Sequence, residues 1–367
     1  MWTISEHKEW ERLKLLDWVA DMHGVQQSPV HHAEGDVAIH TQMVLSELVA
    51  LQEYKDLDAQ AQEILWAAAL LHDVEKRSTT IIDDNGNITA PGHARKGAMT
   101  ARQILYRDIP TPFAIREEIV GLVKYHGLPI WIFDKPDPVK ALLKTSLEAN
   151  TRWLYLLAKA DMMGRICADK EEMLYRVEMF REFCLEHNCW GIPRHFETDL
   201  ARFRYFHKED QSPGFVPFDD TTADVIMLSG IAGSGKDYYA AKYFKDVPVI
   251  SLDDMRRKQK VDRNDSKGNG RVIQEATELA KHYLRSGEKF VWNATNITAQ
   301  MRGQLIDLFA TYNTRICLVY IEVPYKKLIG QNKAREYSIP APAIERMIDK
   351  LEVPKLWEAH QVNYVCA

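Results

Sequence analysis

Five polar side chains in the first half of the chain stand where apolar residues belong. His40 shares a helical face with Val37, Val44 and Leu48, His126 lies with Ile119, Leu122 and Val123, and Asp161 lies with Leu154, Leu157 and Ala158. His72 follows Leu65, Ala68 and Ala69, and Asp73 adjoins it at the end of the most hydrophobic helical stretch of this half. A carboxylate turned into a core is costly unless it is paired or metal-bound. A lone inward histidine is ordinarily a satisfied core residue. Four inward positions with an adjacent His-Asp pair favour a metal, because the carboxylates would otherwise lack enough cationic partners. Imidazole and carboxylate donors without cysteine suit Mn, Fe, Co, Ni or Zn better than a closed structural zinc site.

The second half carries a different chemistry. Gly230-Ile-Ala-Gly233-Ser234-Gly235-Lys236-Asp237 follows the apolar run Val225–Leu228 and opens a helical stretch. It has the form G-x-x-x-x-G-K-[ST] except at its last position. Backbone N–H groups of such a loop wrap phosphates, the helix start adds a favourable dipole, and the lysine reaches the β and γ phosphates. Gly233, Ser234, Gly235, Lys236 and Asp237 are therefore candidate nucleotide-binding residues, and ATP or another NTP with Mg²⁺ is the expected ligand. Asp237 cannot donate a hydroxyl hydrogen bond, but its carboxylate can bind the Mg²⁺.

Both sets need elements to hold them. Up to His207 the periodicity is nearly all helical, as in Leu45-Leu48-Val49 and Leu154-Leu157-Ala158. The stretch Lys208–Asp220 has two prolines, a glycine and no helical period, and reads as a linker. Beyond it the strand-like runs Asp224–Ser229, Val247–Ser251, Phe290–Asn293 and Ile316–Val323 alternate with helices, one after the first strand and others around Val272–Arg285, Met301–Tyr312 and Ala343–Leu351. Alternation of this kind indicates a parallel sheet wrapped by helices. The expected architecture is multidomain: an all-α domain over residues 1–207, a linker over 208–220 and an α/β domain over 221–367.

Composition narrows the class. With 46% hydrophobic and 27% charged residues, the chain is neither disordered nor fibrous. Its longest apolar run, Ile64–Leu71, is far short of the ~20 residues of a membrane span. The opening residues carry charge early and have no secretory pattern. Five cysteines without CxxC spacing argue against a disulfide framework and a cysteine zinc site. A cytoplasmic protein with no membrane partner is expected. The formal net charge of −5 is unevenly spread: the acidic excess lies before residue 211, while Arg256, Arg257, Lys258, Lys260, Arg263, Lys267 and Arg271 form a basic cluster after it. Such a cluster is by default a solvated face, and it could also track a phosphate backbone.

Read together, His40, His72-Asp73, His93, His126 and Asp161 resemble the HD phosphohydrolase superfamily, an all-helical fold with the signature H…HD…D. The strings His32-Ala-Glu-Gly-Asp-Val37 before His40-Thr41, Leu70-Leu-His-Asp-Val-Glu-Lys76, and Gly92-His93 before Gly97-Ala98 are similar to the HD domains attached to tRNA nucleotidyltransferases. The resemblance implies that His40, His72, Asp73 and Asp161 hold one divalent transition metal such as Mn, Co, Ni or Zn. It implies that His93 and His126 hold a second, with Asp73 bridging. Lys76 and Arg165 are candidates for gripping a substrate phosphate, with a surface salt bridge as the alternative for either.

After Asp224 the chain resembles a polynucleotide kinase. Leu252-Asp253-Asp254-Met255-Arg256 is similar to the Asp-Asp-x-Arg of the bacteriophage end-healing kinase. That match implies Asp253 as general base for a 5′-hydroxyl and Arg256 as holder of the substrate's 3′ phosphate. Asn293-Ala-Thr-Asn296 followed by Arg302 resembles that family's next strand end, with Asn293 where Asp is usual, and adds Arg302 to the substrate-binding set. Asn332-Lys-Ala-Arg335, Ile339-Pro340 and Ile344-Glu-Arg-Met347 resemble the kinase lid, whose Arg335 would contact the donor phosphates beside Lys236. The combination resembles bacterial HD-domain polynucleotide kinases. It implies RNA or DNA ends and an NTP as substrates, with a separate ligase acting on the product. In that family the kinase phosphorylates 5′-OH ends and the HD domain removes 2′,3′-cyclic, 2′ or 3′ phosphates. Two other readings stay open: an HD nucleotidase fused to a small-molecule kinase, and a nucleotide-sensing regulator without turnover.

Overall fold

The computed structural model describes residues 1–262, 264–335 and 337–366, so Arg263 of the basic cluster lies outside the described residues. The chain forms two compact units, Met1–His195 and Phe196–Ala367. Among the described residues no helix is long and apolar enough to cross a membrane.

The first unit is helical, apart from a small antiparallel hairpin pairing Ile81–Ile82 with Ile88–Thr89. Six helices position its chemistry: α1 (Val37–Ala50), α2 (Ala59–Leu71), α3 (His93–Gln103), α4 (Phe113–Tyr125), α5 (Thr151–Met163) and α6 (Lys170–Glu186). Helix α2 is the central one. Ile64 to Leu71 are all buried, each large apolar side chain contributing about 1.5–3 kcal/mol on leaving water, and α1, α4 and α5 pack around it. Asp36 starts α1 by accepting a hydrogen bond from Ile39 N, and Asn150 starts α5 by accepting from Arg152 N and Trp153 N. Gly164 ends α5 where a Cβ would come 2.9 Å from Val44 N, so only glycine lets the last turn of α5 approach α1 this closely.

The second unit begins with α7 (Asp199–His207), one helix earlier than the boundary expected at residue 207. Phe203 explains the difference: it is buried in the core of the α/β unit with Val225, Phe290 and Ile316. Then follow β1 (Asp224–Ser229), α8 (Lys236–Tyr243), β2 (Val249–Ser251), α9 (Leu252–Lys258), α10 (Ser266–Ser286), β3 (Phe290–Asn293), α11 (Ala299–Ala310), β4 (Arg315–Glu322), α12 (Tyr325–Lys333), α13 (Ala341–Asp349) and β5 (Gln361–Cys366). All neighbouring strands are parallel, in the order β2-β3-β1-β4-β5. Leu228 is in register with Asn293, and Ser251 with Asn293 on the other side. The carboxyl ends of β1, β2 and β3 therefore open into one crevice, where ligands of such sheets bind.

Candidate active sites

In the helical unit the inward polar residues converge from helix ends. His40 stands in the first turn of α1, His72 caps α2 with Asp73 after it, His93 opens α3, His126 caps α4, and Asp161 lies in the last turn of α5. The rings of His72, His93 and His126 each set Nδ1 2.7–2.8 Å from a carbonyl three residues earlier: Ala69, Ala90 and Val123. A carbonyl can only accept, so each Nδ1 carries a proton and, in the neutral ring, each Nε2 turns a lone pair inward; for His72 burial opposes the charged form, but Asp73 outweighs it and raises the ring above its ordinary value. His40 Nδ1 lies 2.9 Å from Glu34 Oε1, near that carboxylate but out of hydrogen-bond alignment with it.

Asp73 stands between two groups of donors. Its Oδ2 is 3.2 Å from His72 Nε2 and 3.7 Å from His40 Nε2, and its Oδ1 is 3.4 Å from His93 Nε2 and 3.7 Å from His126 Nε2. Ligand atoms of His40, His72 and Asp161 lie within 4.8 Å of one another, as do those of Asp73, His93 and His126. His72 Nε2 and Asp73 Oδ1 are buried without a hydrogen-bond partner, and His40 Nε2 faces Asp161 Oδ1 at 3.0 Å out of hydrogen-bond alignment. Buried polar atoms are ordinarily satisfied. Lone pairs pointed at one another, such as His93 Nε2 and His126 Nε2 at 3.3 Å, are what cations between them would explain. The donor set fits divalent metals.

Electrostatics agree. Burial opposes charge on Asp73, but His72, Lys76 and His93 hold its carboxyl well below the usual range. Burial likewise opposes Asp161, and Arg165 and His40 outweigh it. Burial lowers His126 to about 3, leaving its ring neutral at neutral pH, the form that ligates metal. Lys76 Nζ is 2.8 Å from Asp73 Oδ2, and Arg165 is bidentate on Asp161 with Nε to Oδ1 at 3.0 Å and Nη2 to Oδ2 at 2.7 Å. Both cations border a cavity of about 970 Å³, together with His93 and His126.

Two residues of the string before His40 had no role assigned from sequence. Glu34 has a fully buried carboxylate whose Oε1 lies 2.8 Å from His32 Nδ1 as well as 2.9 Å from His40 Nδ1, while Oε2 accepts from Ile166 N. It places a carboxylate behind the His40 ring, where outer carboxylates orient ligating histidines. His32 borders the cavity. The string itself was visible in the sequence; the carboxylate shared by two rings was not.

The α/β unit gathers its residues in a crevice of about 210 Å³ bordered by Gly233, Gly235, Lys236, Asp237, Asp253 and Arg335. Gly230, Gly233 and Gly235 have φ of +149°, +94° and +102°, values open to glycine and strained for other residues. Lys236 folds back on its loop, donating to the carbonyls of Gly230 (2.7 Å) and Ile231 (3.0 Å). Burial lowers it to about 8, against the pull of Asp237 and Asp253. Asp237 Oδ1 accepts from Asn293 Nδ2 at 2.7 Å, and its Oδ2 lies 3.7 Å from Arg335. Ser234 is buried at the same loop. Arg256 donates to Asp253 Oδ1 at 2.5 Å and to Asn269 Oδ1 at 2.6 Å.

Arg302 is the exception among the expected site residues. It is wholly buried, forked onto Glu358 at 2.6 and 2.9 Å, and donates to the carbonyls of Asn296 (3.2 Å) and Glu352 (2.7 Å). With its donors engaged inside the unit, it cannot bind substrate. It braces the loop after β3 instead: Asn296 donates to Leu228 O at the end of β1, and Thr295 O accepts from Gly230 N.

Comparison with known proteins matches each unit separately. Residues 37–159 match the HD domain family, and residues 225–354 match the AAA domain family. Over 113 residues, 31% of this chain, it is 35% identical to the Multifunctional CCA protein of Halorhodospira halophila, covering 24% of that protein. Over 115 residues it is 32% identical to the Multifunctional CCA protein of Aromatoleum aromaticum, covering 25% of it. The chain thus spans about a quarter of the length of these relatives. Among solved structures, a kinase from Chloroflexus aurantiacus is 17% identical with a TM-score of 0.34, over 40% of this chain and 89% of that one. A sugar kinase from Janibacter is 14% identical with a TM-score of 0.30, over 39% and 84%. The chain joins an N-terminal helical HD domain of hydrolase type to a C-terminal, kinase-like P-loop domain with a parallel five-stranded sheet.

Proposed function

We propose that this chain heals nucleic-acid ends, phosphorylating 5′-hydroxyls in its α/β domain and removing 2′,3′-cyclic, 2′ or 3′ phosphates in its HD domain. The observation that carries the reading is the crevice in which Lys236, Asp253 and Arg335 meet, with Arg256 held on Asp253. Asp253 takes the proton of the 5′-hydroxyl as its oxygen bonds to the γ-phosphorus and the bond to the departing NDP breaks. Lys236 and Arg335 offset negative charge on the transferring group. Arg256 has its partner in Asn269 as well as Asp253, so it can hold a 3′-side phosphate while steadying the base.

Asp237 and Asn293 depart from the usual pattern together. The resemblance leads one to expect a hydroxyl at the loop and an aspartate at the strand end. Here the carboxylate is at the loop and its hydrogen-bonding partner is at the strand end, 2.7 Å away. One carboxylate is kept near the phosphates, which supports Asp237 as ligand of the NTP-associated Mg²⁺, directly or through water.

In the HD domain, His40, His72, Asp73 and Asp161 would hold one metal and His93 and His126 a second, with Asp73 between them. Bound there, the metals would activate water and offset charge on the leaving oxygen of a phosphoester. Lys76 and Arg165 bind phosphate oxygens from the cavity wall. RNA or DNA ends and an NTP are the substrates, and a separate ligase would use the 5′-phosphate and 3′-OH produced. Incubating the chain with a 5′-OH, 3′-phosphate oligonucleotide, NTP, Mg²⁺ and Mn²⁺ should give a 5′-phosphate, 3′-OH product. Turnover of mononucleotides alone would favour the fusion of a nucleotidase with a small-molecule kinase.

A further inference from the structure

The HD cavity is far larger than a phosphate requires. Its volume of about 970 Å³ is at the upper end of what organic ligands fill, so most of it must receive something other than the group being hydrolysed. One side of that space carries an aromatic surface that packing does not account for. Trp131 is 48% exposed and borders the cavity. It ends a short helix, Leu128–Trp131, whose Pro129 and Ile130 are buried and pin it in place. Arg176, which does not border the cavity, covers the indole with its guanidinium 5.5 Å from the ring centre. Asp134 at 3.0 Å and Glu172 at 3.5 Å hold that guanidinium. The indole is therefore held in place before anything binds. It borders the same cavity as His93 and His126, and it lies against the turn after His126: a Cβ on Gly127 would lie 3.9 Å from Trp131 Cδ1.

We propose that Trp131 is the stacking platform for the base of the terminal nucleotide whose phosphate the HD domain removes. This rests on the end-healing reading above. A rigid indole backed by a cation suits a flat heterocycle, and stacking accepts any base because every base has a π-face. Cationic side chains border the same cavity, with Lys135 exposed at its edge, and suit the phosphates of the strand leading to that nucleotide. Trp131 thereby selects nucleotide ends over simple phosphate esters without selecting sequence.

The test compares two short 5′-phosphorylated oligonucleotides bearing a 3′-phosphate, identical except that one lacks its terminal base, using the full chain with Mn²⁺. The wild-type protein should prefer the base-bearing end. Trp131→Ala should cut that preference about tenfold, mainly through KM, and Trp131→Phe should keep most of it. A second readout needs no turnover: 2-aminopurine placed as the terminal base should lose fluorescence on binding the wild-type protein and keep it with Trp131→Ala. A wild-type preference that survives Trp131→Ala, with quenching intact, overturns the platform alone. A wild-type protein that dephosphorylates neither oligonucleotide overturns the end-healing reading and this role with it.

Discussion

Replacing Arg302 by methionine separates the role implied by resemblance from the role seen in the structure. The guanidinium has no exposed surface and is forked onto Glu358, itself only 5% exposed. Removing one partner of such a pair leaves the other charge buried and costs about 3–5 kcal/mol. Replacing both, as Arg302→Met with Glu358→Leu, removes the stranded charge. It still removes one hydrogen bond from Glu352 O and one from Lys355 N, which donates to Glu358 Oε1 at 2.9 Å, at about 1 kcal/mol each. The single variant should therefore be destabilised by about 4 kcal/mol and the double by about 2 kcal/mol. With a urea m-value of about 2 kcal/mol/M, the midpoint of the α/β unit should fall by about 2 M and about 1 M respectively. Kinase activity should follow stability and recover in the double variant. If Arg302→Met unfolded at the wild-type midpoint yet lost 5′-phosphorylation, the guanidinium would be acting on substrate and the buried-pair account would be wrong.

Other substitutions probe the two sites. Asp253→Ala should lower kinase turnover by about 10²–10⁴-fold, as expected for loss of a general base. Arg256→Ala should weaken substrates carrying a 3′-side phosphate far more than a nucleoside without one, and equal losses on both would remove it from that role. Asp237→Asn should raise the Mg²⁺ concentration needed for phosphorylation while leaving the HD reaction unaltered; an unchanged Mg²⁺ requirement would leave Asp237 only as the partner of Asn293. Glu34→Gln should weaken metal binding to the HD domain about 10–100-fold, read by calorimetry with Mn²⁺, through the loosened His40 ring. Affinity equal to wild type would show that Glu34 does not position the ligand.

Much of the architecture can be read from the sequence because the signals are local. β1 and β3 occupy the stretches that the apolar runs predict, Asp224–Ser229 and Phe290–Asn293. β4 is shifted by one residue. β5 leaves no strand signal in the sequence, because Gln361–Cys366 lies at the sheet edge, carries polar residues and buries none of its side chains fully. The apolar period starts α10 only around Val272, because Gly268 and Gly270 interrupt it, whereas the helix begins at Ser266 behind the Asp265 cap. Helix α7 has a helical pattern like its predecessors, and only tertiary contacts assign it to the second unit: Phe203 packs in that core and Arg202 donates to the carbonyls of Leu356 and His360. Metal-ligand candidates betray themselves as polar residues on apolar faces. The burial of Arg302 leaves no such trace, because Glu358 lies 56 residues away, and Glu34 becomes meaningful only when folding brings His32 and His40 to one carboxylate.

The most direct test of two independent reactions in one chain follows both ends of a 5′-OH, 3′-phosphate oligonucleotide with Asp73→Ala and Lys236→Ala proteins. Asp73 lies in the first compact unit and Lys236 in the second. Asp73→Ala should abolish removal of the 3′-phosphate and leave 5′-phosphorylation at the wild-type rate. Lys236→Ala should abolish 5′-phosphorylation and leave 3′-phosphate removal intact. Loss of both reactions in either protein, with folding shown intact by circular dichroism, would contradict the two-site account.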